Sequence, residues 1–179
     1  MWDKYLCSIG IIFEKWIPII LLLISCYLLS SKKNLLIVFI MGYIFNLIFN
    51  LILKGIIQQP RPNENSRLFN LELLNIKRCD NKLKRIGYDR YGMPSGHAQL
   101  FFYISSFMAF ALKNINISIF YFGISLLTIR QRVIFLQHTI LQVFIGSGIG
   151  ILMGYLFYKY GDKLITGIIR RKIDDNGPI

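Results

Sequence analysis

Five apolar runs set what this chain can fold into. They cover Trp16–Ser30, Asn34 to about Ile57, about Ser95–Leu112, Ile115 to about Ile129, and from near His138 to about Tyr158. A bilayer core of about 30 Å needs roughly 20 apolar residues in helical conformation. Within it every backbone N–H and C=O must be paired inside the protein, so helices are the expected solution. The first run is short for a span, and its helix is expected to begin near Ile11. Composition agrees: 54% of the 179 residues are hydrophobic, 17% are charged, and mean hydropathy is +0.50. A soluble domain of this size carries more charge. The expectation is one all-α domain over residues 1–179, a polytopic membrane bundle of about five transmembrane helices.

Residues 1–15 mix apolar side chains with Asp3, Lys4, Glu14 and Lys15 and read as an interfacial segment without a cleavable signal. Trp2, Tyr5 and Trp16 fit an aromatic belt. The second run ends near Lys54, and Pro60 and Pro62 stop its helix. Asn46 and Asn50, four apart, should share an inward face as glue between helices. Lys113-Asn114 is a tight turn, and Arg130-Gln131-Arg132 marks the end of the fourth span, with Arg130 an ordinary snorkelling residue. Glycines at 146, 150 and 154, four apart, allow close helix packing.

The polar active-side loop, 58–94, holds the one long hydrophilic stretch. It is rich in Lys and Arg, and Leu68–Leu74 within it could form a short amphipathic helix on the membrane. Its charge run suits either a headgroup-facing surface or gating of substrate. Asp89 reads as a solvated loop charge or a partner in the neighbourhood of Arg90, with no catalytic role. Cys7, Cys26 and Cys79 form no metal spacing and are expected as free thiols.

Counting sides brings Lys54, Arg61, Ser95, His97, Arg132 and His138 to one face of the membrane. Ser95-Gly96-His97 opens the third helix, where backbone N–H groups suit an anion. Lysine and two arginines can neutralise and orient phosphate oxygens. Two imidazoles, the only histidines in the chain, can divide attack on phosphorus from protonation of the leaving oxygen. The net charge of +12 suits anionic headgroups or a phosphorylated substrate, and no nucleic-acid-binding motif is present. No carboxylate cluster suggests bound magnesium or calcium, so neither a metal nor a cofactor is expected.

Three signatures now stand in order: Lys54, six residues, then Arg61-Pro62; Pro94-Ser95-Gly96-His97; and Arg132, five residues, then His138. They resemble those of the type 2 phosphatidic acid phosphatase superfamily, over roughly residues 35–158. The resemblance implies a phosphatidic acid phosphatase type 2/haloperoxidase-like core. It makes His138 the nucleophile that forms a phosphohistidine and His97 the general acid. Lys54, Arg61, Ser95, Gly96 and Arg132 would hold the phosphate. Gln131 and Gln142 depart from the broad pattern of Ser and Asp at these places. Gln142 can accept a hydrogen bond from Nδ1 of the nucleophile, which keeps its orientation without charge support. Tyr91-Gly92-Met93-Pro94, Gln99, Gln142-Val143 and the run at 57–62 resemble the eukaryotic dolichyl diphosphatase branch, which carries Gln at that place and is active. Gly96 stands where that branch usually has Ser.

The expected partners are a lipid phosphate or diphosphate substrate and membrane lipids, with no nucleic acid. The expected reaction is hydrolysis of a polyprenyl (dolichyl) diphosphate. Alternatives are a broader lipid phosphatase acting on phosphatidic acid or prenyl diphosphates, and a non-catalytic lipid-phosphate binder. Lys32, Lys33, Lys113 and the basic tail, opposite the site, suggest a cytoplasmic face there, although the basic stretch at 67–90 pulls the other way. The resemblance favours an endoplasmic reticulum membrane with the site on the lumenal side.

Overall fold

The computed structural model describes residues 16–62 and 87–161, together with 163 and 167. The expected interfacial segment at 1–15, the short helix around 68–74, Cys7, Cys79 and most of the tail lie outside the described residues. Within them the chain forms five α-helices: α1, Ile17–Leu29; α2, Lys33–Ile57; α3, Gly96–Leu112; α4, Ile115–Ile134; and α5, Ile140–Leu156. A single 3-10 turn, Gly87–Arg90, precedes α3, and a π turn, Phe157–Gly161, extends α5. No strand occurs among the described residues. The fold is the expected all-helical one.

α2, α4 and α5 with its π turn are long and apolar enough to cross a membrane. α3, at 17 residues, is about 25 Å long. It is the central helix and packs on each of the other four. Residues 98–108 of α3 are all buried. Its partners are therefore protein on every side, so it is apolar all round rather than amphipathic, and the polar Gln99, Ser105 and Ser106 within it are hydrogen-bonded.

The α3–α5 seam is set by glycine. A Cβ at Gly150 would strike the Gln99 carbonyl, one at Gly154 the Ser106 hydroxyl, and one at Gly146 would lie 2.6 Å from the Ser95 carbonyl. The four-residue spacing aligns all three on one face, so the helix backbones come into contact. Polar rungs tie the other seams. Asn50 Nδ2 donates to Gln99 Oε1 at 2.8 Å, and Gln99 Nε2 donates to Asn46 Oδ1 at 2.8 Å. Ser25 meets Tyr121 at 2.9 Å and Ser105 meets Ser125 at 2.8 Å. The expected inward face of Asn46 and Asn50 is thus present, with Gln99 as the shared partner.

At one end, Lys113 in the left-handed conformation closes α3 and the Asn114 side chain caps α4. Lys32, at the α1–α2 turn, donates to the Ala111 carbonyl at 3.0 Å, so both short turns share this end. The C-termini of α2 and α4 and the N-termini of α3 and α5 meet at the other. One expectation changes here. Arg130-Gln131-Arg132 does not end the fourth helix, which runs on to Ile134. Arg130 is exposed and Arg132 is buried in the protein, and an Arg side chain interrupts neither backbone bonding nor helix propensity.

Replacing Gly150 with Ala should lower stability by about 1–3 kcal/mol through overpacking of the seam. A Cβ at Gly148 meets nothing within 4 Å, so Gly148→Ala should be neutral or slightly stabilising through helix propensity. Thermal unfolding of the two variants in the same detergent checks the contrast.

Candidate active site

Three short chain reversals build the site. After α4, the Leu136 backbone turns left-handed, with φ of 52°. The N–H groups of Gln137 and His138 both donate to the Arg132 carbonyl, at 3.1 and 3.3 Å. This tight closure brings the side chains of Arg132 and His138, six positions apart, onto the same cavity. Thr139 then opens α5 with a reciprocal cap: its hydroxyl accepts from the Gln142 N–H, and Gln142 Oε1 accepts from the Thr139 N–H.

The second reversal follows α2. Gln58, left-handed at φ of 50°, caps that helix and sends Gln59–Arg61 across the start of α5. Gln142 Nε2 donates to Gln59 Oε1 at 2.8 Å and to the Pro60 carbonyl at 3.1 Å. The third is Tyr91–Ser95. The Gly92 N–H donates to the Gln59 carbonyl at 2.7 Å, and the Ser95 N–H donates to the Gln142 carbonyl at 3.1 Å. Gln142 is thus the fastener of all three segments. A Cβ at Gly92 would come within 2.7 Å of the Gln142 amide, so the crossing has no room for a side chain there.

These reversals clamp the His138 ring. Its Nδ1 lies 2.9 Å from the Gly92 carbonyl and 3.3 Å from Gln142 Oε1. Carbonyl oxygens only accept, so Nδ1 carries the hydrogen. Nε2 then presents its lone pair, which Arg61 Nη1 approaches at 2.9 Å as a donor. His138 is 2% exposed. Burial, and then the charges of Arg61, Arg132, Lys54 and His97, hold its pKa well below the ordinary 6.5. The ring is a neutral imidazole with a defined tautomer and its basic nitrogen aimed at cations.

Lys54, Arg61 and Arg132 share the cavity of His138, each at most 4% exposed. They line a cavity of about 390 Å³ together with Gly96, His97, Gln137 and His138 at its polar end and Pro18, Leu47, Leu51 and Leu100 at its apolar end. Arg132 Nη1 donates to Gln137 Oε1. A Cβ at Gly96 would approach Asn50 Oδ1 to 2.9 Å, so the floor of the cavity is bare backbone at the start of α3. His97 is half-buried, with its ring 6.5 Å from that of Phe101.

Six of the eight residues singled out in the sequence therefore line one cavity: Lys54, Arg61, Gly96, His97, Arg132 and His138. Two do not. Ser95 is fully buried and its hydroxyl accepts from the Ala98 N–H at 3.5 Å as the cap of α3. Gln142 lies behind the His138 ring. The larger surprise is Asp89. It is no isolated solvated charge: its carboxylate forms an ion pair with Lys54, and Oδ1 also lies 3.5 Å from Arg61 Nη2. Arg61 further donates to the carbonyls of Asp89 at 2.9 Å and Arg90 at 3.3 Å. Sequence reasoning also missed the Gly92 carbonyl, for which a backbone atom leaves no signature. Among the described residues no group of three His, Cys, Asp or Glu side chains gathers where a metal ion could sit.

Such an arrangement can hold a tetrahedral polyanion beside an unprotonated imidazole nitrogen. Comparison with known proteins points the same way. The model of the PAP2 superfamily matches residues 35–165. A dolichyldiphosphatase of Saccharomyces cerevisiae is 34% identical over 139 residues, which are 72% of this chain and 51% of that protein. The chain thus spans about half the length of this curated relative. No solved structure matches it.

The tautomer and charge of His138 are measurable by ¹⁵N NMR in micelles, with His97→Gln used to assign the two histidines. His138 should show Nδ1–H at neutral pH and titrate well below 6.5. Because its folded-state pKa is depressed, the unfolded chain gains a proton below pH 6.5 that the folded chain refuses. This contribution therefore removes stability as pH falls through 6.5 and is absent above it.

Proposed function

Because the chain belongs to the PAP2 superfamily, we propose that it is a membrane phosphatase that hydrolyses a polyprenyl diphosphate, dolichyl diphosphate foremost, to the monophosphate and inorganic phosphate. The observation that carries this is the His138 ring, with Nδ1–H held by Gly92 and Nε2 met by Arg61 in a cavity that Lys54 and Arg132 also line. A nucleophile must be unprotonated, and a phosphoryl group must be neutralised before it is attacked. The same cavity supplies both conditions.

In the first step His138 Nε2 attacks the terminal phosphorus. The bond from phosphorus to the bridging oxygen breaks, and His97 delivers a proton to that oxygen. Positive charge develops on the His138 ring as the P–N bond forms. The Gly92 carbonyl, with Gln142 Oε1 behind it, then accepts a stronger, charge-assisted hydrogen bond from Nδ1–H. Lys54, Arg61 and Arg132 stabilise the equatorial oxygens, with the backbone at Gly96 as floor. Ser95 acts through its cap on α3. In the second step water attacks the phosphohistidine, His97 takes the proton, and the P–N bond breaks to return the Nε2 lone pair. The apolar end of the cavity, Pro18, Leu47, Leu51 and Leu100, supports a lipid substrate whose first hydrocarbon units enter between α1, α2 and α3.

The name of the yeast relative favours the dolichyl substrate within this class. We place the protein in the endoplasmic reticulum membrane with the cavity toward the lumen. The lysines at the opposite end, Lys32, Lys33 and Lys113, favour a cytoplasmic face there.

Phosphate release from polyprenyl diphosphate in detergent tests the proposal. His138→Ala should lose at least about 10³-fold in rate; equal rates for variant and parent would end the enzyme reading. His97→Ala should lose most of its activity on polyprenyl diphosphate and far less of the first-step rate on p-nitrophenyl phosphate. That leaving group departs without a proton.

A further inference from the structure

Nine acidic residues occur in the chain, and Asp89 is the only one among the described residues. It lies on the cations of the cavity. We propose that Asp89 is an internal competitor for the phosphate site: its carboxylate occupies the position of a phosphoryl oxygen at rest, is displaced by substrate, and returns to expel the phosphate product. This rests on the phosphate-site reading given above.

The geometry carries the inference. A single oxygen, Asp89 Oδ1, bridges Lys54 Nζ and Arg61 Nη2. A phosphate oxygen held by both cations would need that same place, since two anions cannot share it at contact distance. Arg61 reaches from this carboxylate to His138 Nε2, so the competitor and the nucleophile are served by one guanidinium. The partners also differ in exposure: the Lys54 and Arg61 side chains are 3% and 5% exposed, and that of Asp89 is 48% exposed. The cations are fixed in the cavity wall while the carboxylate sits at its mouth, on the one-turn Gly87–Arg90 helix, and can swing outward without opening the core.

The consequence is quantitative. If only the fraction of molecules with Asp89 displaced can accept an anion, the apparent dissociation constant is the intrinsic one divided by that fraction. A site with three cations around a buried imidazole would otherwise retain inorganic phosphate. The carboxylate weakens that retention and leaves Lys54 and Arg61 paired between turnovers, which lowers the uncompensated charge in the cavity. Turnover itself needs no chemistry from Asp89.

Binding of inorganic phosphate to the full chain in detergent, measured by titration calorimetry, tests this apart from catalysis. Asp89→Asn keeps the size of the side chain and should bind phosphate about 3–10-fold more tightly than the parent. Asp89→Glu, which retains the charge, should stay nearer the parent than Asp89→Asn. Under turnover, Asp89→Asn should also show a lower KM and stronger product inhibition. Unchanged or weaker phosphate binding by Asp89→Asn, in a variant whose thermal unfolding matches the parent, would overturn the inference. Lys54→Ala separates the two levels: if phosphate binds the parent and this variant alike, the phosphate site lies elsewhere and the functional reading falls with the role of Asp89.

Discussion

The imidazole of His138 is clamped between an acceptor and a donor, and the rest of the structure serves that clamp. A buried histidine ring without partners would cost both its desolvation and two unmet polar atoms. Here the Gly92 carbonyl takes Nδ1–H and Arg61 faces Nε2. The pairing settles tautomer, ring plane and the direction of the lone pair together. A neutral side chain, Gln142, stands behind the ring. Orientation is supplied mainly by a backbone carbonyl, and Gln142 contributes through the fastening of three chain segments as well as through its own 3.3 Å contact.

That clamp requires accuracy at the end of a bundle in an apolar medium, where the hydrophobic effect does not press helices together. The glycine seam between α3 and α5 answers this. It sets the two helix N-termini so close that the Ser95 N–H reaches the Gln142 carbonyl. The Asn46–Gln99–Asn50 rung fixes α2 against α3 at the same level, which delivers Lys54 one turn further on to the cavity. The buried cations are tolerable only because each is met by carbonyls, Asp89, Gln137 or the imidazole.

Much of this was legible in the sequence. Apolar runs gave the five helices, the i, i+4 spacing of Asn46 and Asn50 gave their shared face, and alternation of sides gave the convergence of Lys54, Arg61, His97, Arg132 and His138. What escaped it has physical causes. Arg130-Gln131-Arg132 reads as a helix end by charge, yet the end is set by Leu136 turning left-handed two residues after Ile134. Ser95 belongs to the motif, but spacing does not say whether a hydroxyl faces the cavity or caps its own helix. Gly92 acts through a backbone oxygen that every residue has. Asp89 was passed over because its partners come from α2 and the loop after it, and a lone carboxylate beside a basic stretch carries no mark of that. Among the described residues it is the only acidic one, and it lies on a site made of cations.

Everything in the proposed chemistry turns on whether His138 Nε2 forms the bond to phosphorus. Rapid acid-free quenching of the enzyme during turnover of polyprenyl diphosphate labelled with ³²P in the terminal phosphate, followed by peptide mapping, tests it most directly. A base-stable, acid-labile label should appear before free phosphate, chase to it on dilution, and map to Nε2 of His138. Turnover at full rate with no label on the protein, or with the label on His97, would contradict it.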